Sequence, residues 1–147
     1  MPRKARAKSS TGIYHVTMRG HNRENLFSDS IDYTYFVSLL QKVQKKTGCH
    51  IYAACLMSNH LHILVWIKEG TIGDFAFRLS CPYACYFNNR YDRSGHVFEK
   101  RFYSSPVEDM AYFYTCLNYI INNPVEAGIV TSPEQYKWLW CSKKLNL

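Results

Sequence analysis

Two apolar runs, residues 50–57 and 60–67, are separated by only Ser58 and Asn59. So short a polar link between two strand-length runs predicts a β-hairpin, which commits the sheet to antiparallel pairing. The second run reads Asn59-His60-Leu61-His62-Ile63-Leu64-Val65-Trp66-Ile67. Side chains along a strand alternate between faces, so His60 and His62 share one face and Leu61, Ile63, Val65 and Ile67 share the other. One face of this strand is therefore core, and the other carries two imidazoles.

The rest of the chain arranges itself around that hairpin. Residues 13–18 are β-branched and aromatic and predict a strand, broken by the turn residues from Arg19 to Arg23. Residues 31–46 predict a helix with Ile31, Tyr35, Leu39 and Val43 at i+4 steps. Asp29 or Ser30 caps its start, and Gly48 ends it. Residues 71–91 predict a second helix, kinked or divided at Pro82. A short strand is expected over 96–103, and a third helix over 107–122, ended by Asn123-Pro124. The tail, 131–147, carries Trp138 and Trp140. The order β-α-β-β-α-β-α predicts an α+β fold, a ferredoxin-like antiparallel sheet flanked by helices, in one domain over 1–147.

Charge narrows the partners. Eighteen Lys and Arg against eleven Asp and Glu give a net charge of +7. That excess favours a polyanion. No run of 18 apolar residues is present, so no membrane span is expected. Met1 to Ser10 lacks the apolar core of a secretory signal. A cytoplasmic location follows, with the six cysteines reduced. Cys81 and Cys85 stand four residues apart without a second Cys/His pair nearby. They read as small buried apolar residues rather than as zinc ligands. The basic arm of residues 1–11, with Arg3, Lys4, Arg6 and Lys8, is expected to be flexible. It is either a solvated tail or a set of phosphate contacts.

The histidine pair admits two readings: hydrogen-bonded histidines at a half-exposed sheet edge, or two ligands of one divalent ion that still lacks a third. On the third helix, Phe113, Tyr114, Leu117, Ile120 and Ile121 fall within one apolar stripe. Tyr119 falls nearly opposite, with Tyr112 and Cys116 on its side and Asn123 one turn beyond. Alone, Tyr119 is a surface or interface tyrosine. Combined with the histidines it completes a working set. Asn123 supplies the missing oxygen ligand, and Tyr119 is a nucleophile beside the ion, attacking a phosphodiester to give a covalent phosphotyrosine.

At these residues the sequence resembles the single-tyrosine HUH transposases, and among them the REP-associated tyrosine transposases. The segments that carry the resemblance are Gly12-Ile-Tyr-His-Val-Thr-Met-Arg-Gly20, Met57-Ser-Asn-His-Leu-His-Ile-Leu-Val65, Arg101-Phe-Tyr-Ser-Ser-Pro-Val-Glu-Asp109 and Tyr119-Ile-Ile-Asn-Asn-Pro-Val-Glu-Ala-Gly128. They run in the family's order from residue 12 to about 130. The resemblance departs at Glu126, where a basic residue is expected, and in the tail from Lys137 to Ser142. It implies HUH histidines at His60 and His62, the nucleophile at Tyr119, and the metal-binding amide at Asn123. It implies cleavage of single-stranded or hairpin DNA with Mg²⁺ or Mn²⁺, leaving a 5′-phosphotyrosine and a free 3′-OH. No ATP is needed, in keeping with the lack of a phosphate-cradling GxxxxGK[ST] motif. Arg3, Lys4, Arg6, Arg19 and Arg101 are the expected phosphate contacts. The resemblance also admits a homodimer, with the tyrosine acting in cis or in trans, and a location at the bacterial nucleoid.

Two other readings stay open. A non-catalytic nucleic-acid-binding module would stack bases on the same sheet. A zinc hydrolase would need a carboxylate base near the histidines, and none is evident.

Overall fold

The structure, a computed structural model, describes residues 4–142. Five strands form one sheet in the order β4-β1-β3-β2-β5. β1 is Ile13–Arg19, β2 His50–Leu56, β3 His60–Trp66, β4 Tyr103–Pro106 and β5 Leu139–Cys141. Every neighbouring pair is antiparallel. The first four strands take the ferredoxin-like order, and the tail adds β5 to the free edge of β2.

Three helices cover the sheet: α1 (Ser30–Thr47), α2 (Ile72–Arg90) and α3 (Met110–Glu126). Asp29 caps α1 by accepting from the backbone N–H groups of Ile31 and Asp32, and Gly48 ends it at φ 73°. That left-handed conformation is one glycine adopts without strain. Thr71 and Asp74 form a reciprocal capping box at the start of α2, which runs on as one helix through Pro82.

The alternation along β3 divides the core. Leu61, Ile63 and Val65 pack with α1 and α2 in the larger cluster. Leu64 packs on the other side with Phe113, Cys116, Leu117 and Ile120 of α3. The histidine face of β3 is thus the α3 face.

Several expectations change. The strand predicted over 96–103 lies at 103–106. Residues 96–102 are mostly irregular, because they bond only the very end of β1 and the loop after it: the N–H of His21 donates to the Val97 carbonyl, and that of Glu99 to the Arg19 carbonyl. α3 begins at Met110, where Asp109 caps it, and continues past Asn123 through buried Pro124 to Glu126. A proline this late removes one helical hydrogen bond only, and the Pro124 carbonyl still accepts from the N–H of Ile129. Cys116, placed beside Tyr119 by the helical wheel, is buried, whereas Tyr114 is 46% exposed. Cys81 and Cys85 are exposed on α2, not buried. No helix among the described residues is long and apolar enough to cross a membrane.

The basic arm is docked from Lys4 onward rather than loose. Arg6 lies over the Phe102 ring at 3.5 Å, and Arg101 donates to the Lys4 carbonyl at 2.7 Å. Ser10 bonds Glu108 through both its N–H and its hydroxyl.

Candidate active site

The hairpin turn Met57-Ser58-Asn59 delivers His60 and His62 to the sheet face under α3. This turn is itself pinned: the Ser58 carbonyl accepts from the N–H groups of Leu26 and Phe27, and the Asn59 carbonyl from Gly20. A side chain at Gly20 would collide with the Glu24 carbonyl, so the chain passes closely enough there to need glycine.

Across β3 and β1 the register sets Arg19 opposite His60 and Thr17 opposite His62. Thr17 Oγ1 lies 3.1 Å from His62 Nδ1, and His15 Nε2 lies 3.2 Å from the same atom. The other ring nitrogen of His62, Nε2, is buried with no hydrogen-bond partner. His60 Nδ1 is 2.8 Å from Asn59 Oδ1. The Asn123 side chain lies near His60.

Tyr119 stands above these rings. Its ring centroid is 5.2 Å from that of His62, edge-on, and 6.0 Å from that of His15. The tyrosine is 54% exposed, in contrast to His62 at 3%. A cavity of about 450 Å³ is lined by His60, His62, Tyr119, Arg19, Arg23 and Glu99, with Asn59 and Gly20.

Electrostatics keep the imidazoles neutral. Burial pushes the His62 pKa down to about 3, and the nearby His15, His60 and Arg19 add to the effect. Burial also lowers His15. His60 is lowered by burial, partly offset by the nearby Asn123 amide. A neutral imidazole with a free ring nitrogen is a ligand rather than a cation.

The residues fit a divalent ion on these grounds. Burial without a partner is costly for His62 Nε2 unless something else answers it. Among the described residues no group of three His, Cys, Asp or Glu is arranged to hold a metal. A side chain of another type with an oxygen donor, the Asn123 amide of α3, lies near His60.

A family model described as IS200-like transposase matches residues 8–123. The chain belongs to the IS200-like transposase family. No curated protein sequence matches it. Among solved structures, a REP-associated tyrosine transposase bound to a REP hairpin superposes with a TM-score of 0.77 at 17% identity, covering 95% of this chain and 82% of that one. A candidate transposase from Deinococcus radiodurans R1 gives a TM-score of 0.55 at 17% identity, covering 82% of this chain and 97% of the other. These likenesses share the fold.

In this IS200-like transposase, His60, His62, Tyr119 and Arg19 thus lie together, while Asn123 is near His60 but is not among the residues that line the cavity. Arg101 is not among the residues of that cavity. It borders a smaller neighbouring pocket of about 80 Å³ with Arg19 and Glu99. Lys4 is exposed, Arg6 is half-buried against Phe102, and Arg3 lies outside the described residues. Sequence reasoning passed over His15, Thr17, Arg23, Glu99 and Asn59. The signal for the first two was present: His15, Thr17 and Arg19 alternate along β1 as the histidines do along β3.

Proposed function

We propose that this transposase cuts and rejoins single-stranded DNA beside a hairpin, with Tyr119 as the nucleophile. His60, His62 and Asn123 would hold Mg²⁺ or Mn²⁺. The REP-associated tyrosine transposase of similar fold was solved on a REP hairpin, which supports hairpin DNA as the partner. The observation that carries the reading is the edge-on approach of the half-exposed Tyr119 ring to His62 in a cavity that also holds His60 and Arg19.

Arg19 and Arg23 border the cavity and attract a phosphodiester into it. The Tyr119 phenolic oxygen attacks phosphorus as its proton leaves to water, to which the exposed ring is open. The bond from phosphorus to the 3′-oxygen breaks, and that oxygen gains a proton to become a free 3′-OH. The 5′-phosphate stays on Tyr119. Attack by a 3′-OH reverses these bond changes and returns the phenol. One phosphodiester is exchanged for another, so no ATP is consumed. When bound, the divalent ion would neutralise charge on the non-bridging oxygens and orient the phosphate. His62 Nε2 is kept available because burial holds the ring neutral. A module that only bound nucleic acid would have no use for an unpartnered buried imidazole beside an exposed tyrosine.

Incubation with end-labelled single-stranded hairpin oligonucleotides and Mn²⁺ or Mg²⁺ tests this reading. The expected result is a denaturation-resistant protein–DNA adduct that Tyr119→Phe abolishes while hairpin binding persists. Adduct of undiminished yield from Tyr119→Phe would contradict it.

A further inference from the structure

The sheet face that bears the histidines is unevenly covered. α3 packs chiefly over β2 and β3. The strip formed by β1 and β4 extends beyond it to the edge of the sheet. On that strip Tyr103 stands opposite Thr17, and Thr17 stands opposite His62. Tyr103, Thr17 and His62 therefore form one rung across three strands, all pointing to the α3 face. Two strand spacings separate the ends of the rung, about 10 Å. That is the reach of a neighbouring nucleotide.

Tyr103 is 56% exposed although it is a large aromatic residue in a strand. The Arg19 guanidinium lies 5.0 Å from its ring centroid, and the same Arg19 borders the cavity with His60 and Tyr119. One arginine thus connects an open aromatic face to the place where a phosphate would sit. An aromatic face beside a cation is the pairing that single-stranded nucleic acids require: the ring stacks a base, and the cation meets the adjoining phosphate.

We propose that Tyr103, together with Arg19, forms a stacking subsite for an unpaired nucleobase next to the scissile phosphate. This rests on the reading of the cavity as a DNA-cleavage site. Tyr103 is a substrate-positioning group rather than a participant in the bond changes. Stacking on it orients the strand so that the phosphate one rung away meets Tyr119. The contact is with the face of the base, so the subsite tolerates any base and fails only where the base is missing.

The test is a scan with abasic sites. A hairpin oligonucleotide with a single-stranded thymidine flank is prepared with one base removed at each flank position in turn. Affinity is measured for the wild type, Tyr103→Phe, Tyr103→Leu and Tyr103→Ala. Removing one particular base should weaken the wild type and Tyr103→Phe about tenfold. Tyr103→Leu and Tyr103→Ala should bind the intact flank about tenfold more weakly, and lose nothing further at that one position. A merely structural role would weaken binding equally at all positions. Adduct formation by the wild type, combined with unchanged affinity in Tyr103→Leu or abasic losses that persist in it, overturns the stacking subsite alone. A wild type that neither binds the hairpin nor forms adduct overturns the cleavage reading and the subsite together.

Discussion

On the α1–α2 side of the sheet, Asp32 is fully buried and thoroughly answered. It accepts from the N–H of Ser28, the hydroxyls of Tyr86 and Tyr91, and Arg90 at 2.6 Å. Arg90 in turn grips Asp29 at 2.6 Å. On the α3 side, His62 is almost as deeply buried, yet one of its ring nitrogens has no partner. Asp32 ties the start of α1 to the end of α2, and its network is complete within the chain. The network around His62 is not completed by hydrogen bonds within the described residues, which is what the proposed metal site would require. Ser104 Oγ, on the α1–α2 side of β4, is also buried without a partner, but only His62 stands beside an exposed tyrosine in an open cavity.

This contrast predicts that the two sides fail differently. The largest effect belongs to the histidines. His60→Ala or His62→Ala should abolish cleavage and weaken Mn²⁺ binding, while affinity for hairpin DNA, measured by fluorescence anisotropy, largely persists. Full activity in excess chelator would contradict the metal assignment.

Asp32→Ala should do the reverse. It strands two tyrosine hydroxyls, one backbone N–H and part of Arg90, and should cost about 3 kcal/mol of stability in denaturant titration. Below its melting transition the variant should still form adduct.

Acid should separate the two sides. His62 has its pKa lowered to about 3 in the folded protein, against about 6.5 for a free histidine. Below about pH 6.5 the unfolded chain takes up the proton first, so stability falls as pH drops from there to about 3. The Arg90 hydrogen bond holds Asp29 down to about 2. Its contribution is complete above about pH 3.9 and is lost below that. In metal-free protein, His62→Gln should flatten the upper part of the stability–pH curve, and Asp29→Asn only the lowest part.

A smaller effect is expected at Thr17. With the His62 proton on Nδ1, Thr17 Oγ1 can accept it and leave the Nε2 lone pair free. Thr17→Val should weaken Mn²⁺ affinity about 10–100-fold, and Thr17→Ser should restore it. Nitrogen NMR of His62 in the metal-free protein reads the tautomer directly.

How far the sequence alone reached follows from where each signal sits. The hairpin, the shared face of His60 and His62 and the Gly48 stop are local patterns and were legible, as was a cap at Asp29 or Ser30, of which the structure uses Asp29. β4 was misplaced because an edge strand is chosen by its partner: Tyr103 to Pro106 pair with β1, and nothing local distinguishes them from 96–102. The buried stripe of α3 was misjudged because hydropathy counts Tyr114 as core and cannot see that the sheet receives Cys116. His15 was overlooked because a lone histidine in a strand means little until the register brings its ring to His62. The docking of the arm depends on Arg101 and Phe102, almost a hundred residues away in sequence.

On the proposed reading, the open side of this molecule forms a covalent bond to DNA through one residue of α3. Adduct trapped with a hairpin oligonucleotide can be digested with nuclease and trypsin and mapped by mass spectrometry. Trypsin leaves residues 102–137 as one peptide, which holds Tyr103, Tyr112, Tyr114, Tyr119 and Tyr136. A 5′-phosphonucleotide is expected on Tyr119, with the released strand ending in a 3′-OH. The same mass addition on Tyr112 or another residue, or cleavage with no protein-linked nucleotide, would contradict it.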